Sequence, residues 1–337
     1  MTEPAARPST LTEASPHVWL KRRARPNPAE FGFWIVALAA PYLLFPTYLA
    51  LANQIAIAAL FTLSLDLILG YAGIISLGHA AFFGLGAYTA GILSRYGWGE
   101  PVSGLAAAAA VAGLVGYCMS FVIVRVQHLA LLMITLGFGF LLTELANANG
   151  WLTGGADGLQ GVDTWKLLGW FKFDLWGRTA FGYSFAVLFV LFLVCRRLVH
   201  SPFGLSLEGI RENPVRTAAL GAPNRAHLRR VFTFAAAIAG IAGALLAQTT
   251  ETVSLETLGF QRSAEVAIML ILGGTGRLYG AIVGAILFLF ARDQLAGMNP
   301  QYWYFWIGLL LMAVVLFLPD GIVGGLARLV PARWRRT

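Results

Sequence analysis

The residues best suited to chemistry cluster in GYAGIISLGHAAFFGLGAYTAG, residues 70–91. Ser76 and His79 stand three residues apart, the types that a nucleophile and its general base require. No orienting acid is near them in sequence, and GxSxG and HExxH are absent from the chain. A catalytic reading would need a triad assembled from distant segments. Glycines at this density can also cradle a phosphate with backbone N–H groups. Yet GxxxxGK[ST] does not occur, and a second Gly-rich stretch, LGGTGRLYG (272–280), likewise lacks the lysine. Cys118 and Cys195 lie far apart in apolar runs, without CxxC or a histidine cluster, so neither a disulfide framework nor a metal site is signalled. Asp157, Asp163 and Asp174 are too scattered for a calcium loop of about 12 residues.

The elements that must position these residues are set by composition. Hydrophobic residues make up 58% of the 337 and charged residues 12%, against roughly 25% charged in soluble domains. The expected solvent is therefore lipid, and the expected fold an all-α polytopic membrane protein. Ten segments qualify: 32–48, 50–69, 76–94, 103–124, 129–147, 180–198, 231–249, 261–274, 279–296 and 302–319. The eighth, AEVAIMLILGG, is too short for an ordinary span and reads as a half-helix or broken helix closed by Gly273 and Gly274.

The basic segment KRRARPNPAE before the first span resembles a signal peptide, but the apolar run continues past Phe45 without a cleavage site. An uncleaved span with a cytoplasmic N-terminus is expected. Ten spans then place both termini inside. Only Arg95, Lys166, Lys172, Arg178, Arg262 and Arg292 of the 24 Lys and Arg residues fall on outer segments, as the positive-inside rule requires. The net charge of +8 thus follows membrane topology, and no basic, aromatic-laced patch points to nucleic acid. This gives a cytoplasmic tail at 1–30, a transmembrane domain at 31–325 and a second cytoplasmic tail at 326–337.

In lipid, helices associate by close packing of small residues. Gly280 and Gly284 form a GxxxG; Ala80–Gly84 and Ala87–Gly91 are small-xxx-small pairs, and AGIAG (239–243) is another small face. GYAG (70–73) and LGGTG (272–276) read as breaks. Irregular backbone survives at membrane depth only against protein or a water-filled cavity, and broken helices build transport sites. A bundle with two Gly-broken segments and no catalytic set reads as a transporter or channel. Asp66, Glu144 and Glu265 fall in or near spans, where a central charge costs roughly 2.5–3.5 kcal/mol. Each must pair, face the interior or sit at an interface; no chain of acids crosses the membrane, which weakens a proton-coupled reading.

Two connections are long. The outer one, 148–179, carries Trp151, Trp165, Trp170 and Trp176, an aromatic belt or a docking surface for an outside partner. The inner one, 199–230, is VHSPFGLSLEGIRENPVRTAALGAPNRAHLRR. Pro202 and Gly204 break the incoming helix, LSLEGIREN can form about two turns, and Pro214 permits only a new start. VRTAALG reads as a second short helix stopped by Gly221. Two short helices joined by a bend suit a groove on another protein, though an ordinary loop remains open.

Residues 70–91 resemble the signature of permeases of branched-chain amino acid ATP-binding-cassette (ABC) importers. LLMITLGFGFLLTEL (131–145), LTGGADGL (152–159), SPFGLSLEGIRENPVRTAALG (201–221), FAAAIAGIAGALLA (234–247), SAEVAIMLILGGTGRLYGAIVGA (263–285) and GLLLMAVVLFLPDGIVGG (308–325) resemble its further blocks in family order. The 148–179 insertion and the coupling segment are similar to the larger of its two permease types.

The resemblance implies a bacterial inner-membrane importer. A second related permease subunit would form a heterodimer with this one, two ATPase subunits would bind ATP and Mg beneath, and an extracytoplasmic solute-binding protein would deliver solute. No cofactor is implied in this chain. The coupling helix maps to Gly204, Glu208, Arg211, Glu212, Asn213, Ala218, Ala219, Leu220 and Gly221. Candidates for the solute pathway are Ser76, His79, Phe82, Phe83, Glu144, Ser263 and Glu265. Helix breaks and close packing fall to Gly70, Gly73, Gly78, Gly84, Gly273, Gly274, Gly276, Gly280 and Gly284. Ser206 and Glu208 depart from a stretch that is often basic in the family, and Leu255 stands where proline is common. Leucine, isoleucine and valine are the default solutes, with urea, amides, other amino acids and aromatic acids also carried in the family. The rivals are an ATP-independent channel or secondary transporter and a membrane-embedded enzyme.

Overall fold

The computed structural model describes residues 28–44, 46–126, 128–165, 177–298, 300–318 and 321–329. Most of the 1–30 tail, Lys166, Trp170, Lys172, Asp174, Trp176 and residues 330–337 lie outside the described residues. The α-helices there are α1 Pro28–Leu44, α2 Leu49–Asp66, α3 Ala80–Arg95, α4 Pro101–Ile123, α5 His128–Ala148, the one-turn α6 Gly150–Thr153, α7 Arg178–Val199, α8 Pro202–Glu212, α9 Pro214–Ala219, α10 Asn224–Thr250, α11 Phe260–Gly273, α12 Leu278–Met298, α13 Trp303–Phe317 and α14 Gly321–Leu329.

Each apolar segment expected from the sequence overlaps a helix among the described residues, the third only from Ala80 onward. Six helices among the described residues are long and apolar enough to cross a membrane: α2 with its continuation to Tyr71, α4, α5, α7, α10 and α12. The rest are shorter for physical reasons. At 1.5 Å per residue, the 16 residues of α3 reach about 24 Å, below the roughly 30 Å hydrocarbon thickness; the non-helical stretch before it extends its reach. The 14 residues of α11 reach about 21 Å, a half-span that ends at Gly273 before α12 turns back along it.

Some boundaries differ from the sequence reading. α1 begins at Pro28, inside the expected tail, because Pro is well placed in a first helical turn. α10 begins at Asn224, so the segment 199–230 includes its first turns. α14 runs across the expected boundary at residue 325.

The core centres on α2 and α10. Their apolar windows are 78% and 72% buried, against 22% for α5, which lies at the periphery. α10 packs along α3 and α4, and α2 along α7, α10 and α12. Small residues allow this. A Cβ at Gly86 would overlap the Gly240 carbonyl, and one at Gly243 the Phe83 carbonyl, so α3 and α10 meet backbone to backbone. The α11–α12 hairpin closes in the same way: side chains at Gly273 or Gly284 would overlap Gly280 O and Met269 O. One end of the bundle is tied by Ser94 Oγ to Asp163 O (2.6 Å), Gln248 Nε2 to Pro101 O (2.9 Å) and the Leu159–Val253 bridge. α8 and α9 cover the other.

Candidate functional site

The segment from Asp66 to Ala80 connects two buried helices without being a helix throughout. α2 does not stop at Gly70. It widens into a π-turn over Leu67–Tyr71, a form that concentrates at functional sites. Gly73 then takes φ +72°, a left-handed conformation that favours glycine, and Ile74 N–H returns to Ile68 O at 2.8 Å. The true break is residues 72–79.

The first half of this segment is built around two charges. Asp66 is fully buried, and its Oδ1 accepts a hydrogen bond from Gly276 N–H at 2.7 Å. Oδ2 has no partner among the described residues. Gly276, with φ +74°, belongs to the second break, between α11 and α12. A Cβ at Gly70 would overlap both Asp66 Oδ1 and Gly276 N, so a side chain there would displace the hydrogen bond. Arg211 of α8 lies across Gly73, its Cγ 3.0 Å from where a Cβ would stand. Its guanidinium donates to Gly70 O and acts electrostatically on Asp66. The two glycine-rich stretches therefore meet, and what fills the space their missing side chains leave is a carboxylate and a guanidinium.

The second half is neutral and closely packed. Gly78 meets the Thr135 carbonyl of α5, leaving no room for a Cβ, and Leu77 N–H donates to Thr135 Oγ1 at 3.2 Å. Ala80 N–H, at the start of α3, donates to Ser263 Oγ of α11 at 2.9 Å. His79 is fully buried and stacked on Phe61 at 5.5 Å and 4°. Its Nε2 lies 2.8 Å from Ser64 Oγ. Ser64 spends its one hydroxyl hydrogen on Phe61 O at 2.6 Å, so it accepts from His79, which carries its proton on Nε2.

That assignment decides the catalytic question for this pair. Neither His79 Nδ1 nor Ser76 Oγ has a hydrogen-bond partner among the described residues, so the two form no nucleophile–base couple. No group of three or more His, Cys, Asp or Glu residues suited to a metal occurs among the described residues.

The other expected pathway residues are dispersed. Phe82 is core, packed on His79, Phe138 and Phe232. Phe83 packs on Phe61 at 4.6 Å and borders a cleft described below. Glu144 is exposed on α5. Glu265 pairs with Arg262 at 3.1 Å, one helical turn away. Gly84 faces Leu258, and Gly274, at φ +110°, ends α11.

The segment 199–230 folds as a hairpin of two short helices. Pro202 opens α8 in its first turn. Gly204 abuts the Val199 carbonyl, which lets α8 turn back beneath α7. Leu207 and Ile210 are buried against the bundle. α8 is longer than the two turns expected, because Pro202 and Phe203 join it. Asn213 ends α8 and caps α9, its Oδ1 accepting from Arg216 N–H at 2.9 Å. Asn224 Nδ2 donates to Pro214 O at 2.8 Å, and Gly221 leaves α9 at φ +85°. Glu212, Ala218 and Ala219 are exposed. So are Val215 and Leu220, at 77% and 79%: a rigid hairpin presents apolar tips outward.

The sequence reading missed Val215, Ser64 and Thr135. Val215 was legible as an apolar residue in a polar loop; the two hydroxyls carry no signal apart from tertiary contact.

The chain as a whole has relatives among known proteins. Residues 47–315 match the family described as the branched-chain amino acid transport system permease component. The chain is 30% identical over 315 residues to the high-affinity branched-chain amino acid transport system permease protein LivM of Escherichia coli (strain K12), covering 86% of this chain and 73% of the relative. The LivM protein of Salmonella typhimurium (strain LT2) is likewise 30% identical, over 316 residues with the same coverage. The autoinducer 2 import system permease protein LsrC of Yersinia pestis (strain Pestoides F) is 30% identical over 261 residues, 69% of this chain and 66% of the relative. No solved structure matches. The chain belongs to the branched-chain amino acid transport permease family and is a membrane-spanning permease subunit of an ABC importer, a class that works with ATPase and solute-binding partners.

Proposed function

We propose that this subunit pairs with a second, related permease subunit, above two ATPase subunits, and moves branched-chain amino acids or a related small polar organic solute inward. Both termini face the cytoplasm. ATP and Mg are bound by the ATPases, and this chain holds no cofactor and carries out no catalysis itself. Uptake of leucine, isoleucine or valine is supported by the two LivM relatives, whose names specify that transport.

One observation carries the coupling part of this reading: Arg211, on the hairpin with outward apolar tips, grips the Gly70 carbonyl in the wall of the break. A movement of the ATPases would be received by Val215 and Leu220, carried by α8 through buried Leu207 and Ile210, and delivered to residues 66–80. Nucleotide can switch such a structure only if its two states differ by a few kcal/mol.

The test is leucine uptake into proteoliposomes holding the full complex. Uptake should require ATP on the ATPase side and binding protein on the other. Uptake that persists with the ATPases omitted overturns the reading in favour of a channel or secondary transporter.

A further inference from the structure

A cleft of about 120 Å³ enters the bundle between α2, α3, α10, α11 and α12. Gln54, Arg262 and Arg292 border it, on segments that the topology places at the outer side. Its inner walls are apolar, with Phe61, Phe83 and Met269 among them. The two guanidiniums beside this apolar recess differ in how they are satisfied. Arg262 is paired with Glu265. Arg292 is half-buried and has no ion pair among the described residues. Among the described residues Arg292 is thus a cation without a counter-ion, bordering a recess whose other lining residues, apart from Gln54 and Arg262, are apolar.

We propose that this cleft, inside a single subunit, binds a small aliphatic carboxylate, with the carboxylate on Arg292 and the branched tail against Phe61, Phe83 and Met269. A guanidinium matches a carboxylate with two parallel N–H donors. The volume sets the tail: a cavity of about 150 Å³ takes a benzene-sized molecule, so 120 Å³ admits a branched chain of about four carbons and excludes a fused aromatic. Arg292 is then a specificity-determining residue that selects acids over amines and amides. As a step on the solute's route, the site rests on the substrate reading above; as a binding site, it does not.

The test uses the full chain in nanodiscs, with radiolabelled leucine and 4-methylpentanoate (leucine's skeleton without the amine) as probes and 3-methylbutylamine as competitor. A tenfold loss of affinity corresponds to about 1.4 kcal/mol, which one charge-assisted hydrogen bond is able to supply. Arg292→Gln should therefore weaken binding of both acids at least tenfold, Arg292→Lys should restore part of it, and the amine should not compete. A loss smaller than tenfold, or competition by the amine equal to that by unlabelled acid, overturns the proposal.

Uptake by the full complex separates the two readings. If the wild-type complex does not move leucine while 4-methylpentanoate still binds through Arg292, the substrate reading fails and the cleft stands. If leucine is moved and Arg292→Gln changes neither binding nor the KM of uptake, the cleft fails and the substrate reading stands.

Discussion

The two halves of the 66–80 segment are built differently. From Leu77 to Ala80 the contacts are neutral, closely packed and made with hydroxyls from three helices: Ser64 of α2, Thr135 of α5 and Ser263 of α11. From Asp66 to Gly73 the contacts are charged, Arg211 is an exposed residue, and one Asp66 carboxylate oxygen has no partner among the described residues. A neutral, close-packed junction has one good geometry, because any displacement empties contacts that water cannot refill at that depth. A guanidinium on a carbonyl can change partners along its reach. The His79 end is therefore the fixed pivot of the break, and the Arg211 end is where motion enters.

Substitutions at the pivot should cost stability before they cost coupling. The largest effect is expected for Gly78→Val. Its side chain would overlap Thr135 O, a backbone atom that cannot give way, so overpacking of about 3 kcal/mol or more should abolish the monodisperse peak on size exclusion. Ser64→Ala comes next: it leaves the His79 Nε2–H unpaired in a dry site, at about 2 kcal/mol, read as a lower thermal midpoint in detergent with solute moved per ATP unchanged among surviving complexes. Ser263→Ala is smallest, at about 1 kcal/mol, since only the Ala80 N–H in the first turn of α3 loses its partner. If Ser64→Ala or Ser263→Ala uncoupled transport without lowering the midpoint, pivot and lever would have to be exchanged.

Much of this was legible in the sequence. Apolar runs fixed the helices, the brevity of AEVAIMLILGG announced the half-span α11, and Pro202, Asn213–Pro214 and Gly221 marked out the hairpin. The two glycine-rich stretches were recognisable as breaks, but not as breaks that meet: the Asp66–Gly276 hydrogen bond joins residues 210 positions apart, and sequence periodicity does not report such pairings. Asp66, read as a structural or an interface residue, is the acceptor around which Gly70 and Gly276 are arranged. GYAG (70–73) reads as the break, whereas the π-turn carries the helix through Tyr71, because a wider turn keeps the backbone bonded where a side chain would not fit. His79 offered both a base and a packing group, and only the neighbouring Ser64 decides between them.

Arg211 is the link between the hairpin and the break. The direct measurement is solute moved per ATP hydrolysed, in proteoliposomes holding the complete importer, for wild type and Arg211→Ala. Because buried Leu207 and Ile210 still hold α8 to the bundle and the outward Val215 and Leu220 are unchanged, the variant should assemble with its ATPases and keep basal hydrolysis, while solute moved per ATP falls at least tenfold. An assembled Arg211→Ala complex that transports at the wild-type ratio would contradict the account.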